Sequence, residues 1–262
     1  MARIAFSNVV VSYPVYTTVR QRSFLGLAAN RASFGRIARE VGRIPVVNAL
    51  QGVSFELSDG DRLAIIGRNG SGKSTTLKVC SGLLLPDAGE VTVDGTHASI
   101  LNPGAGLDNE RTGAENVEMI GRLHGLSRAK RKLLLEDVAD FTELGEFMDL
   151  PTRTYSAGML LRLMFALATS VERDILIVDE VIAAGDAHFV GKAAKRVREM
   201  FKRAKILVLA THSGEIASRL CNRTIWLDGG REMMSGAPDE VWKAYVEQRP
   251  QAVDRVQLSS TA

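Results

Sequence analysis

The residues best suited to chemistry are Gly67-Arg68-Asn69-Gly70-Ser71-Gly72-Lys73-Ser74-Thr75. The glycines at 67, 70 and 72 let the backbone wrap an anion, so that successive N–H groups point inward. Lys73 is placed to reach the β- and γ-phosphates of a nucleotide, and the Ser74 hydroxyl to ligate Mg2+. The run fits G-x-x-x-x-G-K-[ST] and lies where that motif must lie, after the short apolar run RLAIIG and before a helix. A glycine-rich turn that binds nothing does not account for the full motif in this context.

A second pair of groups stands at the end of Ile175-Leu176-Ile177-Val178-Asp179-Glu180. Four apolar residues predict a buried central strand with two acids at its C-terminal edge, where open α/β sheets bind ligands. Asp179 is placed to hold Mg2+ through water, and Glu180 to polarise an attacking water as general base. His212 ends the next predicted strand, within reach of a γ-phosphate at the same edge. His97, His124 and His188 read as structural, and none of the four histidines has metal-pair spacing. A second anion cradle begins at Tyr155-Ser156-Ala157-Gly158-Met159, where small residues feed straight into the apolar-periodic run LLRLMFALA. First-turn N–H groups of such a helix lack intrahelical partners. Ser156 as a simple N-cap, worth about 1 kcal/mol, is compatible with that role.

The elements that must position these groups follow in order. Residues 3–13 predict a first strand, and the basic stretch after it a loop and a short helix. ALQGVSFEL, RLAIIG, EVTVDG and HASIL predict strands, with a helix from Gly72 to about Gly82. GAENVEMIGRLHG, SRAKRKLLLEDVADFTE and LGEFMDL predict three consecutive helices. Alternation then returns with a helix from Ser156, strand DILIVDE, a helix near 188–203 and strand KILVLATHS. A hairpin around Asp228-Gly229-Gly230 and a final helix APDEVWKAYVEQ complete the ordered chain.

With 262 residues, 45% hydrophobic and 24% charged, the chain suits one large globular core with a lobe inserted. No apolar run approaches the roughly 20 residues that span a bilayer. The N-terminus lacks a basic-then-apolar leader pattern. Cys80 and Cys221 are too few for a disulfide scaffold and read as core fillers in a reducing compartment, which places the chain in the cytosol. The net charge of +3 is uneven: residues 20–45 hold six arginines against Glu40 alone. Such a patch, around Phe24-Leu25-Gly26-Leu27, suits an acidic partner or a lipid surface.

Taken together, these motifs make the chain resemble the nucleotide-binding subunit of an ABC transporter over residues 3–248. YSAGM stands where that family has its signature loop, Val181–Asp186 where it has its D-loop, and Tyr13 where an aromatic ring stacks on adenine, with Tyr16 a weaker candidate. The resemblance implies an α/β P-loop NTPase of the ABC ATPase type. Its RecA-like core would carry an N-terminal antiparallel β subdomain and a helical subdomain inserted at about 113–160. Residues 1–248 would form the ATPase domain and 249–262 a polar, disordered tail.

In that family two domains meet head to tail, and the signature loop of one closes on ATP held by the other. ATP with Mg2+ would lie on Gly67–Thr75 of one chain and Ser156, Ala157 and Gly158 of its partner, with Asp186 alongside. The family's usual glutamine is absent: Asn102 is the only polar substitute in Ile100-Leu101-Asn102-Pro103-Gly104, and it joins Ser74 and Asp179 in the implied metal set.

YSAGMLLRLMFALA, DEVIAAGDAHF and NPGAGLDNERTGAENV resemble the branch that exports bacterial polysaccharides of capsule, O-antigen and teichoic acid type. The implied protein is a homodimer docked under an integral-membrane permease, peripheral on the cytoplasmic face of the bacterial inner membrane. It would drive export of a lipid-linked polysaccharide. The alternative is a soluble ABC ATPase acting on nucleic acid or ribosomes. Against it, the chain has neither a second ATPase domain nor a long coiled coil, and the basic stretch has few stacking aromatics, so no nucleic acid is expected.

Overall fold

Alternation of apolar and polar residues gives β1 (Arg3–Pro14) one buried face, made by Ile4, Phe6, Val9 and Val11. The computed structural model describes residues 1–14, 37–39, 45–100, 106–179 and 187–248. In it β1 lies between β3 (Pro45–Ser58) and β5 (Ala88–Asp94), antiparallel to both. A short β2 (Ile37–Arg39) pairs with the start of β3 and completes the order β2-β3-β1-β5. The helix expected in the basic stretch is therefore corrected at 37–39, where a strand pairs with Pro45–Val47. Most of that stretch lies outside the described residues. Phe6 and Phe55 stack across the sheet with ring centroids 4.4 Å apart.

The second sheet is built from β4 (Arg62–Ile66), β6 (His97–Ile100), β7 (Ile175–Asp179), β8 (Ile206–Ala210), β9 (Arg223–Asp228) and β10 (Arg231–Gly236). Their order is β10-β9-β4-β8-β7-β6, parallel throughout except for β10. Burial on both faces is why the central strands read as unbroken apolar runs. Register matters most here. Ile65 pairs with Ala210, and Ala210 with Asp179, so the chain leaves β4, β8 and β7 at one edge of the sheet.

Helix α1 (Lys73–Cys80) follows β4 directly and buries Thr76, Leu77, Val79 and Cys80. Between β6 and β7 come α2 (Gly113–Leu123), α3 (Arg128–Thr142) and α4 (Ala157–Thr169). Thr112 and Glu115 form a capping box on α2, and Ser127 caps α3. LGEFMDL, expected as a helix, forms only a 3-10 turn at Gly145–Asp149. Left-handed backbone at Glu143 and Gly145 ends α3, and Pro151 leaves too few residues for a new α-helix.

Helix α5 (Ala187–Arg203) precedes β8. Helix α6 (Gly214–Leu220), capped by Ser213, was not anticipated, because its seven residues are too short to show a periodicity. Helix α7 (Pro238–Glu247) starts on proline, as its sequence suggests.

One apolar cluster joins a face of the parallel sheet (Leu176, Val178, Leu207, Leu209) to the inserted helices through Val117, Val138, Leu163 and Phe165. Phe141, Phe165 and Phe189 meet there with centroids 5.4 to 5.8 Å apart. Arg162 stacks over Phe189 at 5.3 Å and Arg196 over Phe141 at 4.5 Å. The opposite face packs Ile65, Ile177 and Val208 against the antiparallel sheet. Cys80 and Cys221 are buried core residues, and burial pushes the Cys221 thiol up to about 12. Among the described residues no helix is long and apolar enough to cross a membrane.

Candidate nucleotide-binding and hydrolysis site

The loop between β4 and α1 curls because its glycines take backbone angles closed to other residues: φ is +148° at Gly67, +75° at Gly70 and +110° at Gly72. Close packing enforces the choice. A Cβ on Gly67 would lie 2.2 Å from the Leu227 carbonyl oxygen, and one on Gly72 2.6 Å from that of Ala49. Asn69 and Gly70 form the exposed crest, Gly67, Ser71 and Gly72 are buried, and Thr75 is half-buried on the first turn of α1.

Lys73 is buried, and its Nζ donates to the carbonyls of Gly67 at 2.8 Å and Arg68 at 3.2 Å. An ammonium held inside a curl of backbone is a cation ready for phosphate oxygens. Ser71 Oγ is buried without a hydrogen-bond partner among the described residues, a polar atom that suits a loop made to receive an anion.

The exposed Ser74 hydroxyl donates to Asp179 Oδ2 at 3.0 Å, joining the start of α1 to the end of β7. Both are hard oxygen donors. They fit Mg2+, which keeps several waters and takes further oxygens from substrate phosphate. Among the described residues no group of three or more His, Cys, Asp or Glu could hold a metal by itself.

His212 is exposed two residues beyond β8, at this same edge. Its neighbours fix the turn: Thr211 N–H donates to the Ile65 carbonyl at 3.1 Å, and Ser213 N–H to Thr211 Oγ1 at 3.1 Å. Tyr13 belongs to the other sheet, opposite Val47, with its side chain partly exposed. Asn102, Tyr16, Glu180, Asp186 and the tail 249–262 lie outside the described residues.

The turn expected to be a second cradle starts α4. Ser156, Ala157 and Gly158 are exposed, and Ser156 Oγ accepts from Met159 N–H at 3.2 Å. Around Gly158 the space is open, since an added Cβ would meet nothing nearer than Ser156 Oγ at 4.0 Å. Tyr155 anchors the turn by donating its hydroxyl to the Phe147 carbonyl at 2.7 Å, and burial raises its phenol pKa. Sequence reasoning passed over one support of the phosphate loop. Gly230, read only as a hairpin turn, donates its N–H to the Ser71 carbonyl at 3.0 Å. The adjacent glycines in DGG were the available signal.

A glycine loop enclosing a buried lysine, with its serine bonded to an aspartate at a neighbouring strand end, defines a P-loop nucleoside triphosphatase. The ABC transporter family matches residues 50–183, and the chain belongs to it as an ATP-binding, ATP-hydrolysing member. The chain is 41% identical over 230 residues to the O-antigen export system ATP-binding protein RfbE of Yersinia enterocolitica, covering 88% of this chain and 96% of the relative. It is 36% identical over 197 residues to the teichoic acids export ATP-binding protein TagH of Lactococcus lactis, covering 75% of this chain and 42% of that longer protein. Among solved structures, a dimeric ATP-binding cassette in a post-hydrolysis state bound to ADP and Pi shares the fold. Its TM-score is 0.65 at 21% identity, over 90% of this chain and 98% of that one.

Proposed function

We propose that the chain is the ATPase subunit of an ABC transporter that exports a lipid-linked polysaccharide of O-antigen or capsule type across the cytoplasmic membrane. The observation that carries the ATPase half is the Ser74–Asp179 bond beside the buried Lys73. The export half is supported by the relatives, which are named for O-antigen and teichoic acid export.

In this reading the N–H groups of 67–75 and the Lys73 ammonium hold the ATP phosphates, and Tyr13 stacks on adenine. When bound through Ser74 and Asp179, with Asn102 nearby, Mg2+ supplies the charge that offsets the phosphate oxygens. Glu180, next in sequence to Asp179, takes the proton of the attacking water, and His212 meets the γ-phosphate from β8. Ser156, Ala157 and Gly158 of a second copy close over the same nucleotide, with Asp186 at the junction. ATP thus joins two chains, and hydrolysis lets them part.

Residues 1–248 form the ATPase domain, with the helical subdomain at about 113–160 facing the permease. The dimer is peripheral, on the cytoplasmic face of the inner membrane. A strain lacking the chain should accumulate the glycan on its cytoplasmic lipid carrier. Wild-type chain should restore export and Asp179→Asn should not. Sedimentation with ribosomes instead of membranes, with export intact in the deletion strain, would overturn the export reading.

A further inference from the structure

We propose that Gln51, together with the Gly229–Gly230 turn, is a positioning element for the phosphate loop, and so sets ATP affinity without touching ATP. The inference rests on the reading that Gly67–Thr75 holds the nucleotide.

The argument starts at a bulge. Along β3, Val53 pairs with Val9 and Gln51 with Val10, so Gly52 is an extra residue in the ladder, with φ +80°. Such bulges bend a strand and re-aim its side chains. Here Gln51 is directed to the β9–β10 hairpin on both its main chain and side chain. Its N–H donates to the Gly230 carbonyl at 2.8 Å, and its Nε2 donates to the Gly229 carbonyl at 2.7 Å. Its Oε1 accepts from Arg231 at 3.2 Å. Three bonds from one residue hold the turn.

The turn in turn holds the loop. Gly230 N–H donates to the Ser71 carbonyl at 3.0 Å, and Leu227 O fills the space where any side chain at 67 would go. Gly230 is buried, and a Cβ there would lie 2.6 Å from the Ala49 carbonyl, the same atom that closes off Gly72. Ala49 therefore packs the hairpin and the loop against one wall. Ser71 sits in the middle of the curl, so fixing its carbonyl orients the peptide units on either side. A loop whose N–H groups already converge binds phosphate without first ordering itself.

Gln51→Met keeps the length and the backbone bond but removes the side-chain donor. Gln51→Glu keeps the acceptor for Arg231 and sets a carboxylate against the Gly229 carbonyl. For Gln51→Met, both KM for ATP and Kd for Mg2+–AMP-PNP should rise about threefold to tenfold, the worth of one hydrogen bond. Gln51→Glu should show a larger rise, and kcat should stay within about twofold in both variants, since uniform binding alone is lost. Amide exchange at Ser71 and Gly230 should quicken in both. A role in stability alone would lower melting temperature with KM and Kd unmoved, and that result would overturn the proposal. Lys73→Ala separates the two levels. If it loses AMP-PNP binding while both Gln51 variants bind as wild type, only the positioning role falls. If it binds as wild type, the site itself is misplaced and the proposal falls with it.

Discussion

The Ser74 hydroxyl and the Asp179 carboxylate, 105 residues apart in the chain, are joined by a hydrogen bond of 3.0 Å. They meet because Ile65, Ala210 and Asp179 share one rung of the sheet, so the loop after β4 opens beside the end of β7. Under the proposed function these two oxygens hold one Mg2+ and should not act independently.

Ser74→Ala and Asp179→Asn should therefore each lower kcat by about 10²–10³, the usual cost of losing one fixed electrostatic partner. The double variant should fall little further, because residues acting on one ligand couple strongly. Steady-state ATPase assays across a Mg2+ titration read both effects. Fully additive losses would mean that the two groups serve different steps.

Glu180→Gln should keep ATP affinity and lower turnover by about 10²–10⁴, as expected when a general base is removed. The variant should accumulate as an ATP-bound dimer, visible by light scattering after gel filtration with Mg2+–ATP. Near-normal hydrolysis would remove Glu180 from the role of base.

The exposed Ser156-Ala157-Gly158 turn predicts complementation between chains. In a mixed dimer of a Lys73→Ala chain and a Ser156→Arg chain, one composite site collects both defects and the other is intact. With Glu180→Gln added to both chains, the mixed dimer should occlude ATP at one site although neither parental homodimer does. Verified mixed dimers without occluded ATP would show that the α4 turn does not work across chains.

Acid stability should report the opposite edge of the sheet. Asp174, just before β7, accepts from Lys205, Thr96 Oγ1 and Thr96 N–H, which together hold its carboxyl at about 2. Its folded pKa is depressed below the unfolded value of about 3.9. Its contribution is thus complete above about pH 4 and fades as pH falls toward 2. Thermal melts should show Asp174→Asn losing stability at pH 7 and converging on wild type near pH 2. A constant difference across that window would remove the carboxylate from this role.

Much of this was legible in the sequence, and the reason differs by element. The phosphate loop shows itself because its chemistry is local: glycines, lysine and serine must follow one another. Asp179 and His212 could be placed because buried parallel strands are unbroken apolar runs, which mark their own ends. The helix start at Ser156-Ala157-Gly158 was readable from small residues leading into an apolar run. Strand β2 was not readable, since three residues carry no period and its partner lies beyond an intervening stretch. Helix α6 was missed for its brevity, and LGEFMDL was misread because left-handed Glu143 and Gly145 are set by the chain's path and not by apolar spacing. Gln51 was invisible for another reason. Its partners are backbone carbonyls and an arginine some 180 residues away, and a lone glutamine in a strand announces none of them.

The apolar cluster around Phe141, Phe165 and Phe189 has a consequence for how the molecule comes apart. Helices α3, α4 and α5 and one face of the parallel sheet belong to one connected cluster of buried side chains, so the inserted helices share part of their core with the sheet. A segment that shares its core with a neighbour is coupled to that neighbour when it opens. The insertion and the sheet should lose protection from solvent exchange together, as one cooperative unit. Excised as a fragment, residues 106–170 should unfold at a lower temperature than they do in the intact chain, as followed by circular dichroism.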